Sequence, residues 1–355
     1  MRRIAFFLIL AGIISSWPPR AQAEATPIER DEHECRWHGS LDLAINDFGM
    51  SFGNSARLTG LRFNLVDCGV EEINGINLTF WKPGENPDAT LNGIALGLVA
   101  PQADRIRGIS AGIAAVVGDS EISGISAAAL AVVSEGEITG LAFGGLATVA
   151  EGSAVGIMAG GLASVTERSM TGISIGGLAS VTERHMTGLS AGGLASVTEG
   201  NFSGISFGGL ASVAEGYSTG ISIGGLASVT EKSLLGISVG GLAVVVGSSA
   251  ISARSAAELA SVAEGRLMGI GAAGWTVRSD EIQGAAFAGA QVKANRLNGL
   301  SIAVLNQFEE CQIGLSIGIV NIAESLNGIQ LGIINIAKNN PPAFRALPII
   351  NAHFE

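Results

Sequence analysis

Aromatic side chains are scarce in this chain, at 5% of 355 residues, with one tyrosine and four tryptophans. Membrane-spanning β-barrels carry aromatic girdles at both interfaces, so the scarcity weighs against that architecture. Charged residues are only 14% of the total and histidines number four. His33, His38, His185 and His353 fall in no catalytic spacing. The cluster His33-x-Cys35-x-x-His38 lacks the matched second half of a metal site, so no metal and no cofactor is expected. No apolar run beyond the first 23 residues is long and unbroken enough for a transmembrane helix. Phosphate-binding glycine loops, with their lysine or their strand-to-helix setting, are also missing.

Glycine and the small aliphatics are what the chain does have. Its 51 glycines come with only nine prolines and no collagen triplet, and hydrophobic residues reach 47%. The glycines keep time: one leads each unit at 140, 156, 172, 188, 204, 220 and 236, always 16 residues apart. A fixed period of this kind marks a repeat architecture. Weaker units lead from Gly60, Gly75, Gly93 and Gly108. After Gly247 Ser252 stands in for the leading glycine, and the later leaders Gly269, Gly284, Gly299, Gly314 and Gly328 are 15 or 14 apart. About eighteen units are expected. The organisation predicted is a signal peptide at 1–23, a flexible leader at 24–38, an N-terminal cap with degenerate repeats at 39–92, the array at 93–337, and a C-terminal cap or last strand at 338–355.

Thr171 to Met186 serves as the type unit. Ile173 and Ile175 sit two apart on one face of a strand, with Gly172, Ser174 and Gly176 on the other. Gly176-Gly177 breaks the phase, because Leu178 comes three after Ile175 and Val181 three after that; glycine pairs permit such corners. Thr182 to His185 is a polar turn. Three glycines per unit, at about 0.8–1.0 kcal/mol each relative to alanine, argue against a helix. Two all-β readings survive. In a β-solenoid each unit is one coil of about 16 residues, and Ile, Leu and Val ladders run down a dry core. In an antiparallel β-barrel each unit is one strand, possibly in an outer membrane, with Thr171, Ile173, Ile175, Gly177, Ala179 and Val181 facing lipid and small polar residues the lumen. The solenoid is preferred, because the phase break puts Leu178 on the wrong face of a barrel strand and every turn is equally short.

Several residues are candidates for sites. Asp119, Glu135, Glu151, Glu167, Glu183, Glu199, Glu215 and Glu231 hold one 16-residue register. Stacked in parallel they form an acidic stripe, softened by Arg168, Arg184 and Lys232. Such a stripe could track cations, but a solvated turn that keeps the protein soluble is the plainer reading. The serines at 164, 180, 196, 212 and 228 recur too uniformly to be nucleophiles, since a catalytic centre breaks symmetry. No enzymatic activity is expected.

The beginning of the chain reads as an address. Arg2 and Arg3 precede the apolar stretch Ile4–Ile14, and Ala21-Gln22-Ala23 is a small-residue cleavage site, as in a Sec-type signal peptide. Export to the periplasm, cell surface or outer membrane is expected, and in an oxidising compartment Cys35 and Cys68 could pair. Without residues 1–23 the chain carries 17 basic against 31 acidic residues, about −14, which does not suit nucleic acid.

The units Gly314-Leu315-Ser316-Ile317-Gly318-Ile319-Val320-Asn321-Ile322-Ala323 and Gly328-Ile329-Gln330-Leu331-Gly332-Ile333-Ile334-Asn335-Ile336-Ala337 resemble uncharacterised surface-repeat proteins of spirochaetes and Bacteroidetes. Those families carry G-φ-x-φ-G-φ-φ-N-φ-A repeats. The resemblance covers most of 93–337 and loosens in the middle, where the asparagine is missing. It implies an exported bacterial surface protein and lends no catalytic residues. The function expected is a non-catalytic structural or interaction protein, presenting a rigid β-surface to an unknown protein or glycan at the cell surface. The alternative is an outer-membrane barrel, possibly a pore for small solutes, and membrane contact is expected only in that case.

Overall fold

The computed structural model describes residues 39–81, 86, 88–247 and 250–354. The described residues form a β-solenoid. A coil of the middle array consists of a long strand, such as Ser169–Gly176, and a short one, such as Ala179–Thr182. Each strand pairs in parallel with the equivalent strand one unit on: Gly172 lies opposite Gly156 and Gly188, and Val181 opposite Val165 and Val197. The corner follows the same ladder, with Leu178 N donating to Leu162 O at 2.7 Å. A barrel of successive strands would need antiparallel neighbours, so the parallel pairing overturns the barrel alternative.

The leading glycines are held to glycine by geometry. Gly172 has φ +126°, and a Cβ there would lie 2.1 Å from the carbonyl oxygen of Gly156. The same contact recurs from Gly60 to Gly236 and from Gly284 to Gly328, so the column fixes the spacing of the coils. Ala253, not Ser252, pairs with Gly236, because the connection before it is one residue longer.

Aliphatic residues fill the interior differently from the expectation. Ser174 and Ser180 are fully buried, whereas Ile175 is 42% exposed and Leu178 41%. The large residue packed inside is the one two before the leading glycine: Ile138, Met170, Met186, Phe202 and Leu234 stand in this column. Thus the strand faces were separated correctly, but the wrong one was assigned to the core. The walls converge toward the Gly-Gly corner, where a Cβ on Gly176 would lie 1.7 Å from Ala179 O. Most residues beside it are small, Met158 being the large exception, and serine fits because its hydroxyl finds another.

That pairing is continuous. From Ser164 to Ser238 the buried hydroxyls alternate between long and short strands through nine hydrogen bonds of 2.6–3.0 Å. Each serine inside the file bonds to two others, which satisfies polar groups that would be costly to bury alone, while buried Ser218 stands outside it. Met158 stands in the Ser174 register at one end and Val244 in the Ser228 register at the other, so the chain of hydroxyls is closed by apolar neighbours.

Both ends of the described stack carry an antiparallel strand. Ser40–Ile45 and Phe48–Gly53 form a hairpin; Asn46 and Asp47 make its turn with φ of 51° and 63°, a conformation these residues tolerate. At the other end Ala346–His353 runs antiparallel to Val320–Ala337. Parallel stacking therefore stops at strands of opposite direction, which blunts edges that would otherwise template further pairing.

Candidate functional site

The acidic column forms as parallel stacking requires. Glu135, Glu151, Glu167, Glu183, Glu199, Glu215 and Glu231 each follow directly on a short strand and are exposed; Asp119 is half-buried. Partial desolvation, and then the neighbouring glutamates one coil away, push the Glu151, Glu167 and Glu215 carboxyls above the ordinary 4.5. Glu183 is raised for the same reasons, with Arg184 acting against the shift. No group of three or more His, Cys, Asp or Glu among the described residues is placed to hold a metal ion. The stripe is a column of mutually repelling, solvated carboxylates.

Cys68 is disulfide-bonded; Cys35, its expected partner, lies outside the described residues, as do His33 and His38. Next to Cys68 the first coils bury an ion pair. Arg62 is fully buried and contacts Asp67, and it also donates to Asn77 at 2.9 Å and Asn54 at 3.2 Å. Asp67 accepts from Asn64 at 3.1 Å and Asn77 at 3.2 Å. Arg62 Nε alone lacks a partner, and the buried charge pair is a structural plug, because losing either member strands the other.

The feature that stands out is on the outside. Because serines and the Gly−2 column take the interior, the aliphatic ladders face solvent. Leu130, Leu146, Leu162, Leu178, Leu194, Leu210, Leu226 and Leu242 make a column of identical residues, each 41–49% exposed. On the long strand the residues one and three after the leading glycine make two further columns, typified by Ile173 and Ile175. From the Gly124 coil to the Gly236 coil neither column contains a charge. Contiguous apolar patches beyond a few hundred Å² are rare on monomers and mark interaction sites. The signal was legible in the barrel reading, which assigned Ile173, Ile175 and Val181 to the outside; what failed was tying that assignment to lipid.

Comparison with protein-family models, curated proteins and solved structures gives no match.

Proposed function

We propose that this chain is an exported bacterial structural or interaction protein, non-catalytic, that uses its outward aliphatic columns to hold a partner at the cell surface. The observation that carries the proposal is the inversion of the coil: hydroxyls are spent inside while leucine and isoleucine stay outside, in register. Each exposed aliphatic forgoes about 25 cal/mol per Å² that burial would return, and a docked partner recovers it. Repetition supports a structural role, because the coils of the array offer side chains of one kind and none is singled out as a reaction centre. Export is supported by the residues of 1–23, and a surface location by the resemblance of the Gly314 and Gly328 units.

The test is retention on the envelope of the producing cell. Replacing Leu162, Leu178 and Leu194 by glutamine leaves the interior untouched. The variant is expected to keep its circular dichroism and melting curve yet to appear in the medium, while the parent chain stays with the envelope. Equal release of both proteins would sink the reading.

A further inference from the structure

We infer that one of these faces pairs with the same face of a second copy of this chain, the two solenoids running antiparallel. The inference rests on the interaction reading above and names the partner. Its first support is a corrugation. The column three residues after the leading glycine does not repeat uniformly; it reads Ala127, Phe143, Ala159, Ile175, Ala191, Phe207, in consecutive register. The large members are 42%, 42% and 50% exposed, so they stand as knobs, and the alanines between them leave hollows. With coils about 4.8 Å apart the pattern recurs every ~9.6 Å. A fluid bilayer has no such period to match, whereas a second copy has it by construction.

An antiparallel pair about a twofold axis between the Ala159 and Ile175 rungs seats every knob. Phe143 then meets the partner's Ala191, Ile175 meets the partner's Ala159, and Phe207 meets the partner's Ala127. A closed pair of this kind is isologous and cannot propagate into a filament.

Charge at the rim of the four central coils obeys the same axis, while the outer Gly124 and Gly204 coils bring only acids. Where the long strands begin, the Gly140 and Gly156 coils carry Glu135, Glu137 and Glu151 and no base. The Gly172 and Gly188 coils carry Arg168, Arg184 and His185 at that rim beside Glu167 and Glu183. The twofold that matches knobs to hollows lays the Gly140 coil against the partner's Gly188 coil, and the Gly156 coil against the partner's Gly172 coil. Basic residues thus lie against the half of the rim that has only acids, as complementary interfaces require. Six coils, about 29 Å, by an eight-residue strand, about 27 Å, give roughly 750 Å² per copy, near the ~800 Å² per partner of a stable interface.

The experiment is sedimentation of the purified chain with knob and hollow exchanged. The parent is expected to be a dimer. Phe143→Ala and Ala191→Phe should each weaken association at least about tenfold, and the double variant, which restores a knob facing a hollow, should recover most of it. Arg184→Glu, an exposed change, should weaken it as well, and unchanged melting curves show that the variants fold. A parent chain that stays monomeric at about 100 µM, or a double variant no better than the worse single one, would overturn the inference. A monomer that sediments with neutral phosphatidylcholine vesicles would make lipid the occupant and leave the interaction reading standing. A monomer that ignores vesicles, and whose envelope retention survives the leucine substitutions, would end both.

Discussion

The middle array and the C-terminal array share one backbone ladder and solve its interior and its edge differently. Between Ser164 and Ser238 the buried polar groups that link coil to coil are serine hydroxyls in single file. Toward the C-terminus they are amides: Asn306 donates to Asn321 at 2.8 Å, Asn321 to Asn335 at 2.8 Å, and Gln330 to Gln312 at 2.9 Å. In the middle a separate turn bears the glutamate. In the C-terminal coils that turn is gone, short and long strands fuse into Thr276–Ala288, Gln291–Ile302 and Leu305–Ile317, and the period falls below 16. The fused edge pairs its charges across coils, Arg266 with Glu281 at 2.8 Å, Lys293 with Glu309 at 2.6 Å and Arg296 with Glu310 at 2.6 Å. Removing the turn replaces a repelling column by a set of ion pairs, while the glycine column, interrupted once at Ala253, resumes at Gly269.

The shared part should be the hardest to alter. Gly172→Ala and Gly299→Ala each drive a methyl to within 2.0–2.1 Å of the preceding glycine's carbonyl at positive φ. Each should cost at least about 3 kcal/mol, read as a lowered thermal midpoint in both arrays. A large loss in one array with a small loss in the other would break the claim of a common ladder.

The interiors should differ next. Asn321→Ala removes a side chain that donates to Asn335 and to Leu331 O and accepts from Asn306. It should cost about 3 kcal/mol, because several buried groups lose partners together. Ser190→Ala leaves Ser180 still facing Ser174 and Ser196 still facing Ser206, and should cost about 1–2 kcal/mol. A serine loss that exceeded the asparagine loss would mean that the hydroxyl file acts cooperatively along its length.

How much of this could be read from the residues follows from what each position must satisfy. The 16-residue coil, its parallel stacking and the glutamate column were legible because a strict period has few physical meanings. The split of Ile173 and Ile175 from Ser174 was legible for the same reason, as strands alternate. Which side faced inward was not. That choice depends on how closely the walls approach, and the Gly176–Ala179 contact that narrows them is a tertiary distance. The inner column at Met170, Met186 and Phe202 was visible as a large apolar residue two before each glycine, but it was outnumbered by the two outer columns.

The edges should differ least, and with opposite pH dependence. Glu151, Glu167, Glu183 and Glu215 bind a proton more readily folded than the ordinary 4.5. They therefore favour folding most below that value, and their contribution is lost as pH rises through the raised values. Glu281, held low chiefly by hydrogen bonds from Gln283 and Arg266, and Glu309, held low by Lys293, contribute above 4.5 and lose it as pH falls through their lowered values. Glu183→Gln should thus raise the melting midpoint slightly at neutral pH and have no effect near pH 3, where both side chains are neutral. Glu281→Gln should lower it slightly at neutral pH. Shifts of the same sign would erase the distinction between the two edges.

The central claim, that hydroxyls line the coil while isoleucines face outward, is tested most directly by single cysteines at adjacent positions. In a Cys311→Ser background without reductant, Ile175→Cys should react with a water-soluble maleimide at the rate of an exposed thiol. Ser174→Cys should stay unlabelled until the chain unfolds. Rapid labelling at 174 with protection at 175 would contradict the account.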